Sequence, residues 1–151
     1  MGYRDIPYLR QSDRRLIENG LFTGLGAVAL IENEEGKLLL HLRDNLDWIA
    51  HPNLWAFIGG VVEDGEDVET AVLREVEEEV GLIASNPKPI FRLVDVEGSN
   101  NLISVFRVST NLSIEELTLN EGQDFGFFTL DELGEMPLVP FAKDLIERLM
   151  A

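Results

Sequence analysis

Between Gly60 and Leu82 the chain reads G-x5-E-x7-R-E-U-x-E-E-x-G-U, with U an apolar residue, and no other segment limits the fold as much. Gly59-Gly60 breaks the preceding run, Glu63-Asp64-Gly65 makes a turn, Asp67 is a good N-cap and Gly81 a good stop, so a helix is expected over 68–80. At about 100° per residue, Val68, Val72, Val76 and Val80 fall on one narrow stripe that must lie against other apolar surface. Glu75, Glu78 and Glu79, spaced i, i+3, i+4, fall on a neighbouring patch.

The same segment carries much of the chain's charge. Of 151 residues, 28 are acidic and 12 are Lys or Arg, a formal net charge of −16. Nine acids lie in 63–79 against Arg74 alone, and seven lie in 115–135 against no base, so these two stretches hold −15 of the −16. A hydrophobic fraction of 45% is enough for a packed core, so the acidity does not signal disorder. It argues against a nucleic-acid polymer or an anionic membrane as partner, since both call for a basic face. The absence of Cys excludes a disulfide scaffold, a thiolate metal site and a cysteine nucleophile. The apolar stretch 21–31 is too short to span a bilayer, and the polar, charged residues before it are unlike a signal peptide, so a cytoplasmic location is expected.

One domain over 1–151 is expected, with 1–20 an N-terminal arm or short helix. Residues 24–31 read as a buried strand, 33–36 as a turn and 37–43 as the returning strand of a hairpin. A loop over 44–53 leads to a short strand, 55–58, that stops at Gly59-Gly60. After the helix, 86–89 reads as a loop, 90–96 and 102–108 as a hairpin around Gly98-Ser99-Asn100-Asn101, 125–128 as a short strand, and 138–150 as an amphipathic helix with Pro140 near its start. The class is mixed α/β, with helices covering a sheet.

Three carboxylates on one helical patch repel unless something offsets them, and Arg74 offsets only part. A solvated, Glu-rich face is one reading. A hard divalent cation, Mg²⁺ or Mn²⁺, is the other, because such ions take oxygen ligands. An EF-hand is excluded because its loop pattern is absent.

The full pattern from Gly60 to Leu82 matches the Nudix box at every position, and the chain resembles the Nudix hydrolase family. Seven fixed residues at roughly 7% usage each coincide by chance about once in 10⁸ start points, so the match is specific. The resemblance implies a Nudix fold, a mixed sheet sandwiched between helices with the box as loop–helix–loop. It implies hydrolysis of a pyrophosphate bond in a nucleoside triphosphate or another nucleoside diphosphate linked to a group X, with water attacking phosphorus at a multi-Mg²⁺ site and Mn²⁺ as substitute. On that resemblance Glu75, Glu78 and Glu79 are metal ligands, Gly59 contributes a backbone carbonyl, and Glu66 with Arg74 forms the internal salt bridge that fixes loop to helix.

Asn120-Glu121-Gly122-Gln123 is similar to the Glu-Gly-Gln loop of the bacterial MutT-type pyrophosphatases, which makes Glu121 a candidate metal ligand or general base. Arg43 stands where related enzymes place a phosphate-contacting arginine. Trp48, Trp55, Phe57 and Phe141 are candidates for stacking a base, with Trp55 and Phe57 the preferred pair, and core packing is their competing role. His41 and His51 read as structural or surface residues. Ile58 stands where many members have Pro before the glycine pair. Leu138 aligns with the base-reading Asn of the MutT-type enzymes and offers no donor or acceptor, which argues against recognition of 8-oxo-dGTP through that position. The expected partner is a small nucleotide, with a homodimer as the oligomer to test. The alternative function is a catalytically silent Nudix-fold domain that binds or senses a nucleotide.

Overall fold

The computed structural model describes residues 6–151; residues 1–5, the start of the expected N-terminal arm, lie outside the described residues. In chain order the elements are helix α1 (Gln11–Glu18), strands β1 (Leu25–Glu32), β2 (Leu38–Leu42) and β3 (Trp55–Val61), helix α2 (Val68–Val80), strands β4 (Lys88–Val94) and β5 (Leu102–Ser109), a 3₁₀ turn (Ile114–Glu116), strand β6 (Asp124–Phe128), and helices α3 (Leu130–Gly134) and α4 (Pro140–Met150). The six strands form one mixed sheet in the order β4-β5-β1-β3-β2-β6. β1 and β5 run parallel from the Leu25–Leu102 pair to the Glu32–Ser109 pair, while β1–β3, β2–β3, β2–β6 and β4–β5 are antiparallel. The mixed α/β class read from the sequence is the one observed.

β1 is covered on both faces, which is why it reads as a continuous apolar run rather than an alternating one. On one face lie Val68, Ala71, Val72, Val76 and Val80 of α2, against Ala27, Ala29, Ile31, Ile58 and Phe106. On the other, Leu133 of α3 and Ala142, Leu145 and Ile146 of α4 pack on Val28, Leu30, Leu40 and Val105. The Val stripe of α2 therefore does what its spacing predicts. Among the described residues, no helix is long and apolar enough to cross a membrane.

Four local expectations are corrected. β3 does not stop at the glycine pair: Gly59 pairs with Val28 and Gly60 with Ala27, and the strand continues to Val61. A Cβ at Gly59 would collide with Ala27 O and lie 2.8 Å from Val28 Cα, so the glycine lets β1 and β3 approach rather than ending the strand. β4 begins at Lys88 and ends at Val94, not 90–96, and contains Pro89; the register shift between Pro89 and Phe91 at this outer strand accommodates the missing N–H. α4 begins at Pro140 rather than at 138, because Leu138 bridges to Trp55 in extended conformation. α3 has no counterpart in the sequence reading, although Thr129 caps it and Glu132 returns a bond to the Thr129 N–H at 3.0 Å.

The N-terminal segment is tied down from residue 6 onward. Leu9 N–H donates to Arg92 O and Arg92 N–H to Pro7 O, both at 2.8 Å, so the segment runs along the outer side of β4. Buried Asp13 accepts from Val94 N–H at 2.9 Å and from the Arg10 guanidinium, which also reaches Asp144.

Candidate active site

α2 sets the positions of the box side chains. Asp67 accepts the Thr70 N–H at 2.7 Å at its start, and Gly81, at φ 70°, donates to Glu77 O at its end. The last-turn carbonyls of a helix lack partners within it. Here Thr118 N–H donates to Val80 O and Asn120 N–H to Glu79 O, both at 3.0 Å, while Asn120 Nδ2 donates to Glu78 O at 2.9 Å. These bonds dock the Asn120-Glu121-Gly122-Gln123 loop onto the end of α2. On its other side Gln123 N–H donates to Leu42 O at 2.8 Å, and Gln123 Nε2 donates to Arg43 O at 2.8 Å and Asn53 Oδ1 at 3.0 Å. Gly122 lies at φ 91°, and a Cβ there would stand 2.5 Å from Leu42 O, so the turn needs glycine. Glu121 is thus held between α2 and the end of β2.

The acidic residues of the helix divide into two groups. Arg74 holds the first. Its Nε and Nη2 grip Glu66 at 2.8 and 3.0 Å, its Nη1 donates to Glu75 at 2.9 Å and Glu78 at 3.1 Å, and its Nη2 donates to Val61 O at 3.1 Å. The Glu66–Arg74 bridge expected from the box is present and bidentate. It lowers the Glu66 carboxyl below the usual range and raises Arg74 above its own.

Glu79 belongs to the second group. Its side chain is 5% exposed and accepts the Gly59 N–H at 2.9 Å. Burial, then the carboxyl of Glu121 hydrogen-bonded to it, and the charge of Glu75 push Glu79 up to about 10; the Gly59 N–H works the other way. Glu75 is raised too, by burial first, with Arg74 opposing and Glu78 and Glu121 adding to the shift. Gly60 makes room here, since a Cβ would sit on the Glu75 carboxylate, 2.9 Å from Oε2. Glu78 is more open, with 58% of its side chain exposed. Among the described residues, no three acidic or histidine side chains form a closed ligand set, and Glu75 and Glu78 are both paired with Arg74. Even so, carboxyls forced together without a full counter-charge, all offering oxygen, fit a hard divalent cation.

Glu79 and Glu121 border a cleft of about 350 Å³ between the ends of β1, β2 and β3 and the β4–β5 loop, within the size range of small-molecule sites, while Glu75 and Glu78 lie outside its lining. Gly59, Glu79 and Glu121 line one end with Arg43, and Phe57, Ile103 and Phe141 line the apolar part. Arg43 donates through Nε to Ala50 O at 3.0 Å. The structure does not bring every aromatic candidate here. Trp55 lies outside the lining; it packs in the core, edge-on to Phe128 at 5.1 Å, with its backbone bonded to Pro137 and Val139. Trp48 is 80% exposed on its loop, and Leu138 lines a separate groove beside α3 and α4. Residues with no role expected from the sequence line the cleft as well: Asp95, Ser99 and Asn101 from the β4–β5 loop, brought in by tertiary packing, together with His41, whose sequence context implies only a structural or surface role. His51 also lines it and contacts Glu97 O at 3.1 Å.

The NUDIX domain family profile matches residues 23–149. The chain is 33% identical over 127 residues to the 8-oxo-dGTP diphosphatase of Haemophilus influenzae, covering 82% of this chain and 89% of that protein. It is 42% identical over 60 residues to Nudix hydrolase 7 of Arabidopsis thaliana, a match that spans 40% of this chain but only 21% of that longer protein. Its structure superposes on the MutT NUDIX hydrolase of Burkholderia pseudomallei with a TM-score of 0.70 at 26% identity, over 83% of this chain and 97% of that one. On this profile match over most of its length and these likenesses, the chain belongs to the Nudix family of pyrophosphohydrolases.

Proposed function

We propose that this protein is a cytoplasmic, Mg²⁺-dependent hydrolase of a pyrophosphate bond in a nucleoside triphosphate or another nucleoside diphosphate linked to X. The observation that carries this reading is the meeting of Glu79 and Glu121 at one end of a largely apolar cleft, with Glu79 pushed up to about 10 by its burial and then by its acidic neighbours. The residues that would hold the cation are Glu75, Glu78, Glu79 and Glu121, with the Gly59 carbonyl. When bound, it supplies Lewis-acid polarisation of the phosphoryl oxygens and a more acidic water.

The chain's own residues supply the rest. Glu66 and Arg74 fix the loop before α2 so that Glu75 stays beside Gly60. Arg43 faces the cleft and contacts the phosphates. Phe141, partly buried, offers flat apolar surface to the base, while Phe57, 3% exposed, packs in the core and only backs the cleft wall. Water adds its oxygen to phosphorus, the bridging P–O bond breaks, and one of the glutamates takes the proton. Leu138, outside the cleft, leaves base reading to the residues that line it.

A panel of nucleoside triphosphates, 8-oxo-dGTP, dinucleoside polyphosphates and nucleoside diphosphate sugars, with Mg²⁺ or Mn²⁺ and products identified, tests this reading. Metal-dependent cleavage to two phosphorylated products is expected, and Glu78→Gln should lose about 100-fold or more of the rate. Tight binding of a nucleotide that stays intact through long incubation would instead support the sensor reading.

A further inference from the structure

β2 is four leucines and one histidine, Leu38-Leu39-Leu40-His41-Leu42. His41 pairs with Ala56 on one side and Phe125 on the other, is 4% exposed, and has a buried Nδ1 without a hydrogen-bond partner. Leaving a buried polar atom unpaired costs folding free energy, and an apolar side chain of similar size would avoid that cost. Packing alone therefore gives no reason for a histidine in this leucine strand.

The position of the ring does give one. A Cβ on Gly122 would lie 3.0 Å from Nδ1, so the imidazole sits directly under the Glu121–Gly122 turn. The ring feels both the backbone and the carboxylate of Glu121. It borders the same cleft as Glu79, Glu121 and Arg43. The hydrogen bonds that dock this loop lie on either side of Glu121, through Asn120 to α2 and through Gln123 to Leu42, Arg43 and Asn53. They locate the loop, and His41 is the buried polar group beneath the residue between them.

We propose that His41 is a positioning residue for Glu121. Its imidazole supports the Glu121–Gly122 turn from below and keeps a ring nitrogen beside the turn that carries Glu121, one of the residues that would hold the cation. This inference rests on the hydrolase reading above. It assigns to His41 a role in orienting a ligand-bearing loop, in place of the structural or surface role its sequence context implies. Outer partners of metal ligands of this kind are typically worth 10–100-fold in metal affinity or activity.

The test compares the full chain with His41→Leu, His41→Asn and His41→Gln. Three quantities are measured: melting temperature without metal, Mn²⁺ affinity from the EPR signal of free Mn²⁺, and kcat and KM on the best nucleotide of the panel. His41→Leu should melt at or above the parent temperature, bind Mn²⁺ about 10-fold more weakly and lose about 10-fold in kcat with KM nearly unchanged. Asn or Gln, which keep an N–H, should recover a large part of both losses. The proposal is overturned if His41→Leu keeps parental Mn²⁺ affinity and kcat, or if Asn and Gln are no better than Leu. If the parent cleaves nothing but His41→Leu still weakens Mn²⁺ binding, the hydrolase reading fails and the positioning role stands. If the parent is active and no His41 variant changes binding or kcat, the positioning role fails and the hydrolase reading stands.

Discussion

Asn120 donates its side-chain amide to the Glu78 carbonyl at 2.9 Å, joining the last turn of the box helix to the loop that carries Glu121. The bond satisfies a carbonyl that the helix leaves unpaired and sets the distance between two groups of acidic residues far apart in sequence. Asn120→Ala keeps the Asn120 N–H bond to Glu79 O but loses this one. The loss of one such bond is about 1 kcal/mol, which in a chain of this size lowers the melting temperature by about 2–4 °C. Activity should fall by more than this small destabilisation accounts for. Calorimetry and steady-state kinetics on the same samples measure the two effects.

Glu79 makes the metal-free protein sensitive to pH. Its carboxyl is raised in the folded state to about 10 from an ordinary 4.5, so the folded chain binds a proton that the unfolded chain releases. The favourable contribution is complete below about pH 4.5 and is lost as pH rises toward 10. Removing the charge with Glu79→Gln should raise the melting temperature without metal at pH 8 and flatten its decline between pH 6 and 9. Mg²⁺ is expected to stabilise the parent protein, and the same substitution should shrink that stabilisation. A scan of melting temperature against pH, with and without Mg²⁺, reads both changes.

Arg74 hydrogen-bonds Glu66, Glu75, Glu78 and Val61 O through one planar group and also pairs with Glu63 at 3.7 Å, with Glu66 gripped by two nitrogens. Lysine carries the charge but cannot make that fork. Arg74→Lys should therefore lower the melting temperature and release Glu75, reducing kcat by about 10-fold. Arg74→Lys with unchanged stability and rate would show that charge alone suffices at this position.

Gly60 leaves no space for a side chain because the Glu75 carboxylate fills it. Gly60→Ala should displace Glu75 while the adjoining pairs of β1 and β3 hold, so activity should fall much further than stability. The comparison with Gly59→Ala is informative, because a Cβ there meets β1 backbone instead. Gly59→Ala should lower the melting temperature as well as the rate.

Local periodicity and end signals carried the sequence reading furthest. The Val stripe, Asp67 and Gly81 define α2, and the alternation of apolar runs with turns places most strands. What stayed hidden depends on pairing between distant segments. β3 runs through two glycines because β1 pairs with them, and Pro89 is accommodated in β4 by a register shift. The Thr129–Glu132 capping box was present in the sequence and would have marked α3. At the site, Glu66, Arg74 and the glutamates were legible because they share one helix and its leading turn. The division of those glutamates by Arg74, the displacement of Trp55 into the core and the place of His41 beneath Glu121 depend on the folded sheet.

In the proposed reaction, water attacks phosphorus with help from the carboxylates around Glu79 and a divalent cation. Hydrolysis of the best nucleotide in ¹⁸O-labelled water, with both products weighed by mass spectrometry, tests it most directly. One ¹⁸O is expected in a single phosphorylated product, formed with Mg²⁺, suppressed by chelator and nearly absent in Glu78→Gln. Cleavage that persists without a divalent cation, places no label on phosphate or survives in Glu78→Gln at the parental rate would contradict it.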